Sequence, residues 1–129
     1  MLNPDSVGRT FHGAESVSVT ASEIADFAAV IGESDISVAP PTFSIRITLE
    51  QSRSILSDPN VGLDWSRVVH GDQKFEVLRP IVAGDVFRCS STIENYKAVA
   101  GNEIVTIRSD LHSGEELVVS SWSTLVVRA

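Results

Sequence analysis

Val38-Ala-Pro-Pro-Thr-Phe-Ser-Ile-Arg-Ile-Thr-Leu-Glu-Gln-Ser-Arg-Ser-Ile-Leu-Ser57 is the stretch on which the fold turns. Its tandem prolines forbid helix before Pro41 and mark a place for one to start, because proline has a fixed φ and no N–H. Beyond them two periods compete. Phe43, Ile45, Ile47 and Leu49 alternate as in a strand, whereas Ile45, Leu49, Ser52 and Leu56 repeat as on one helix face. About fifteen residues without a turn signal exceed a usual strand, and Asp58-Pro59-Asn60 supplies a stop. The segment is therefore read as a helix.

A shorter helix is expected upstream, where Ile24, Phe27, Ala28 and Ile31 follow the i, i+3, i+4, i+7 pattern over Ala21 to Ile31. Thr20 or Ser22 is its N-cap, Glu23 stands at capping-box distance from Thr20, and Gly32 suits a left-handed C-terminal residue. From Arg67 onward the signals are strands: Val68 to Leu78, Val86 to Lys97, Glu103 to Leu111 and Glu116 to Val127. Pro80 with Ala83-Gly84-Asp85, then Ala100-Gly101-Asn102 and Ser113-Gly114-Glu115, separate them. Such spacing predicts an antiparallel meander, curved or packed on a helix because strands of this length do not stay flat. The fold class is α+β, and periodicity alone gives a helix on an antiparallel sheet; one long helix with four or more long strands suggests a sheet wrapped around a central helix, the hot-dog arrangement.

Composition narrows the function classes. With 129 residues, 43% apolar and 21% charged, the chain is expected to form one domain over 1–129 with its own core. The single cysteine, Cys89, makes no internal disulfide, which points to a reducing cytoplasm. Ten Lys and Arg against 17 Asp and Glu leave a formal charge of −7, with the arginines dispersed, so a nucleic-acid partner is not expected. No apolar run approaches the ~20 residues of a membrane span, and Met1-Leu-Asn-Pro-Asp-Ser6 lacks the features of a signal peptide.

Phosphate-loop, nucleophile-elbow and dinucleotide motifs are absent, and no His/Cys pair has metal-ligand spacing; no metal or cofactor is expected. His12 and His112 read as exposed, the first ahead of a strand and the second at a turn. His70 lies in a polar cluster with Gly71, Asp72 and Gln73, where a bulge or close backbone approach is expected. It is either an oriented base with Asp72 fixing its tautomer, or a hydrogen-bonded side chain at a strand crossing or subunit interface. Trp65 and Trp122 read as core or interface residues, since no basic groove accompanies them.

Val38-Ala-Pro-Pro-Thr-Phe43, Val69-His-Gly-Asp-Gln-Lys-Phe75, Arg79-Pro-Ile-Val-Ala-Gly-Asp85 and Ser123-Thr-Leu-Val-Val-Arg128 occur in an order that resembles the MaoC-like dehydratase N-terminal family over nearly the whole chain. The chain looks most like the non-catalytic subunit of two-component (3R)-hydroxyacyl-thioester dehydratases, hot-dog proteins that pair as dimers. Catalytic members carry G-D-x-N-P-x-H after the first helix, an aspartate and a histidine that move protons on the β-hydroxyacyl thioester. Their thioester carbonyl is held by backbone N–H groups at a helix start. Here Gly32-Glu-Ser-Asp-Ile-Ser37 occupies that place. Glu33 takes the aspartate position, no histidine follows, and the connection to Val38 is shorter than in typical relatives. Pro41 stands where catalytic relatives tend to have glycine, and it brings no N–H.

The resemblance thus implies a component of a hydro-lyase of fatty-acid type that lacks the dyad. It would shape the acyl site for a MaoC-type catalytic subunit in a heterodimer, with Pro41, Thr42 and Phe43 touching the acyl or pantetheine group of an acyl-CoA or acyl carrier protein (ACP) thioester. A second reading is a self-sufficient homodimeric dehydratase or thioesterase using Glu33, or His70 with Asp72. A third is an acyl-binding or structural partner without turnover.

Overall fold

Local signals set the first helix of the computed structural model, which describes residues 1–129. Helix α1 (Ala21–Ile31) starts at Thr20, whose Oγ1 accepts from the Glu23 N–H at 3.2 Å while Glu23 Oε1 accepts from the Thr20 N–H at 3.0 Å. Gly32 ends it at φ 77°. Helix α2 (Ile45–Ile55) follows a turn begun by Pro40 and Pro41, with Phe43 N–H donating to the Pro40 carbonyl at 2.9 Å.

The helix in the ambiguous stretch is real, and Ser52 and Leu56 of its expected face are buried, but the rest of that face differs. Leu49 is exposed and Ile45 half-buried, whereas Ser44, Ile47, Thr48 and Ser52 are buried. Ser44, Thr48 and Ser52 are spaced i, i+4, i+8, so a small polar stripe of α2 turns inward. Small side chains let the helix lie close to the strands, where Ser52 finds partners, while Thr48 Oγ1 donates to the Ser44 carbonyl within the helix.

Strands β1 (Thr10–His12), β2 (Val17–Ser18), β3 (Val68–Val77), β4 (Val86–Val99), β5 (Asn102–Ser113) and β6 (Glu116–Val127) form an antiparallel sheet in the order β1-β4-β5-β6-β3, with β2 also on β4. Only β4-β5-β6 is a meander. The expected hairpin from β3 to β4 does not form: β3 pairs with β6 at the far edge. Pro80 and the turn to Asp85 carry the chain across one end of the sheet rather than back along β3. His12 is likewise corrected, since it closes β1 instead of preceding a strand, and His112 is half-buried within β5.

The sheet's inner face holds two apolar clusters separated by a polar layer. Phe43, Ile47, Phe87, Cys89, Leu111 and Val119 belong to one cluster. Leu56, Ile93, Val105, Ile107 and Leu125 belong to the other. Between them Ser91, Ser109 and Ser121 stand in register across β4, β5 and β6. Ser52 Oγ of α2 lies 2.7 Å from Ser109 Oγ and 3.1 Å from Ser91 Oγ, so these buried hydroxyls satisfy one another.

Candidate functional site

The connection between α1 and α2 holds most of the expected site residues. Glu33 is exposed, and its Oε1 accepts from the Asp35 N–H at 2.9 Å. Asp35 Oδ1 in turn accepts from Ser37 Oγ at 2.6 Å and Ser37 N–H at 2.9 Å, and these two bonds hold the Asp35 carboxyl below the ordinary aspartate range. Ala39 N–H then donates to the Ile81 carbonyl at 2.7 Å, pinning the connection to the segment after β3. Glu33, Asp35, Val38, Ala39, Pro40 and Pro41 line one open cavity of about 220 Å³. Glu33 and Pro41 are therefore brought together.

Pro41 and Thr42 are exposed, but Phe43 is not: it is 1% exposed, meets Phe27 edge-on at 5.6 Å between ring centroids, and has the Arg46 guanidinium 5.6 Å from its ring. Its place is in the core, on the wall of a small cavity of about 100 Å³ shared with Val17, Glu23 and Arg46. Sequence reasoning could not separate it from its neighbours, because the turn before α2 sends adjacent side chains in opposite directions.

The start of α2 is poor in free donors. Pro40 and Pro41 have no N–H, and the N–H groups of Phe43, Ile45, Arg46 and Ile47 donate to the carbonyls of Pro40, Thr42, Phe43 and Ser44. Polarising a thioester carbonyl requires N–H groups aimed at the oxygen and held ready. Most of those in this turn are engaged. Ser44 Oγ, which no motif singled out, is buried there without a hydrogen-bond partner.

His70 and Asp72 lie on β3, on either side of a bulge at Gly71, where an added Cβ would come 3.3 Å from the Thr124 carbonyl. Bulge and close approach are as expected. The orienting contact is not: His70 Nε2 is 2.9 Å from Gln73 Oε1, which also accepts from Ser123 Oγ at 2.6 Å. No hydrogen bond joins His70 to Asp72, and both side chains are exposed. Neither Glu33 nor His70 has a carboxylate–imidazole partner.

The Arg79 to Asp85 motif has a structural task. Arg79 donates to both Asp85 oxygens at 2.9 and 3.1 Å and to Glu116 Oε1 at 3.0 Å, while Val82 N–H donates to Asp85 Oδ2 at 2.9 Å. Burial alone would raise the Asp85 carboxyl, but the Arg79 and Val82 hydrogen bonds with the guanidinium charge outweigh it and hold it below its ordinary value. This clamp closes the turn that carries Ile81, to which Ala39 and the candidate site are tied.

A sheet of long antiparallel strands around one central helix, with the helix start and the preceding connection forming a surface cavity, defines the class: a MaoC-like hot-dog protein. Residues 5–120 match the family described as FAS1-like, dehydratase domain region, and the chain belongs to that family. It is 41% identical to a UPF0336 protein of Streptomyces griseus, covering 99% of this chain and 96% of that one. That alignment runs over 145 positions against 129 residues here, so at least 16 positions of the relative have no counterpart in this chain. Among solved structures it resembles the HadBC (3R-hydroxyacyl-ACP dehydratase) complex of Mycobacterium tuberculosis, with TM-score 0.82, 21% identity and coverage of 97% and 99%. It also resembles a MaoC-like dehydratase of Rhodospirillum rubrum, with TM-score 0.72, 18% identity and coverage of 99% and 97%. No helix is long and apolar enough to cross a membrane.

Proposed function

We propose that residues 1–129 form one hot-dog unit acting as the non-catalytic subunit of a two-component (3R)-hydroxyacyl-thioester dehydratase. The observation that carries this reading is the α1–α2 connection, which has a carboxylate, Glu33, but no histidine, and leads into a helix start whose donors are largely engaged. Dehydration needs two proton-transfer groups at the β-hydroxyacyl carbons and a polarised thioester carbonyl. A MaoC-type partner would supply these. This chain would contribute the wall of the acyl site, with Pro41 and Thr42 facing the acyl or pantetheine group of a CoA or carrier-protein thioester. Phe43 would support that wall from the core.

Pairing is supported by strand β3, a sheet edge whose side chains are mostly exposed, including Val69 and Val77, with Leu78 exposed just beyond. An edge presents unpaired N–H and C=O groups that natural proteins pair or protect. A buried lone thiol at Cys89 is compatible with a reducing cytoplasm.

The test is enoyl-thioester hydration with a short-chain CoA substrate, by the purified chain alone and with a partner bearing G-D-x-N-P-x-H. We expect the chain alone to match the protein-free blank and to raise the partner's rate when both are present. Hydration by the chain alone, abolished in Glu33→Gln or His70→Asn, would overturn the proposal in favour of a self-sufficient enzyme. No effect on any tested partner would favour a structural role.

A further inference from the structure

On the sheet's outer face, away from the α1–α2 connection, three basic side chains converge, with Asp110 of β5 standing opposite Ser90 beside them. His12 of β1 stands opposite Ser90 of β4, and His112 of β5 stands opposite Arg88 of β4. Cys89, between Arg88 and Ser90, points into the core at 3% exposure. Because side chains alternate along a strand, Arg88, Ser90 and the residues opposite them project together on the other face. Opposed Cβ atoms in an antiparallel pair are about 5 Å apart, so the two imidazoles stand on either side of β4 near one guanidinium. All four line a single cavity of about 310 Å³, with Gly13 and Gly114 at its rim.

Arg88, like Arg9, Arg53 and Arg128, makes no salt bridge or side-chain hydrogen bond, whereas Arg46, Arg67, Arg79 and Arg108 are each ion-paired. Neither His12 nor His112 uses its ring in a hydrogen bond within the chain. Two carboxylates of the neighbouring strands are engaged elsewhere: Asp110, opposite Ser90, accepts from Arg108 and Ser120, and Glu116 accepts from Arg79. Glu15 lines a neighbouring cavity that shares His12 and Gly13, and Glu115 is exposed in the turn after Gly114.

We propose that Arg88, His12 and His112, with the Ser90 hydroxyl, form a binding site for a phosphate group. A guanidinium presents two parallel N–H donors to a phosphate edge, and imidazole N–H and hydroxyl donors reach its remaining oxygens. The cavity exceeds what a bare phosphate needs and matches the lower range of small-molecule sites, which suits a phosphate monoester on an organic group. The inference is independent of the dehydratase reading, since it concerns a different part of the sheet and is read without turnover.

The experiment is an NMR titration of the ¹⁵N-labelled chain, following the imidazole signals of His12 and His112 and the Arg88 side-chain N–H. The probes are inorganic phosphate and adenosine 3′,5′-bisphosphate. We expect all three residues to shift saturably with a common dissociation constant, and Arg88→Gln to weaken binding about tenfold or more while leaving the far-UV circular dichroism unchanged. Tighter binding of the bisphosphate identifies a phosphate monoester as the ligand; equal affinities identify free phosphate. Absence of saturable shifts by about 50 mM phosphate, a range in which weak sites bind with only ~2 kcal/mol, overturns the proposal. Equal binding by Arg88→Gln overturns it as well. His112→Gln, on a different strand, provides a second variant with the same expected loss.

Discussion

Burial pushes the Cys89 thiol up to about 12, with the nearby Asp110 charge adding to the shift and a Ser91 hydrogen bond opposing it. The thiolate is the reactive form, so Cys89 is inert in the native protein. We expect iodoacetamide to leave it unmodified at pH 8 in buffer and to alkylate it in 6 M guanidinium, as read by mass spectrometry. Asp85 shows the opposite logic. Its pKa is depressed in the folded state, so its stabilising contribution is complete above the ordinary carboxylate value, about 4, and fades as pH falls through the depressed value. Asp85→Asn should cost about 2 kcal/mol in urea unfolding at pH 7, the scale of hydrogen bonds to a charged group, and the difference from wild type should shrink below about pH 4. Gly62 has φ 79°, and an added Cβ would collide with the Met1 carbonyl oxygen. Gly62→Ala should therefore destabilise by more than about 1 kcal/mol, measured by the same unfolding.

Among the elements, α1 has ends specified locally and α2 has a packing face specified by its neighbours. Thr20→Ala removes the capping box and should cost about 1 kcal/mol, visible as a lower Tm. The serine layer is a tertiary device. Ser52→Ala leaves Ser91 and Ser109 with their 3.4 Å contact and should cost about 1 kcal/mol, whereas Ser52→Leu forces a larger side chain between helix and sheet and should cost more. Calorimetric melting of the two variants checks that order. From sequence, Ile45, Leu49, Ser52 and Leu56 formed the expected face of α2, and of these Ser52 and Leu56 are buried, whereas Leu49 is exposed. Here hydroxyl residues face inward at three positions, and one of them, Ser52, meets Ser91 and Ser109, which lie 39 and 57 residues away along the chain.

For the whole molecule, the order β1-β4-β5-β6-β3 leaves β3 as a long edge with exposed Val77, and Leu78 exposed beyond it. The paired substitution Val77→Lys, Leu78→Lys adds charge to this edge without filling the core. It should shift a dimer towards monomer in sedimentation velocity, with unchanged circular dichroism; an unaltered dimer would place the interface elsewhere.

Capping residues, turn glycines and strand alternation are local, and they determined both helices and the four long strands, because each needs only neighbours a few residues away; the hot-dog class was legible from the resemblance of the motifs in their order. The absence of a histidine between Gly32 and Pro41 and of an N–H at Pro41 was equally legible, since it is a matter of residue identity. The tertiary structure alone decided that β3 crosses to β6, that Phe43 points inward while Pro41 and Thr42 point out, and that His70 bonds Gln73 rather than Asp72. It also decided that His12, Arg88 and His112 surround one cavity. The physical reason is register: one strand shifted by a single residue would send each of these side chains to the opposite face, and register is set by packing between segments far apart in the chain.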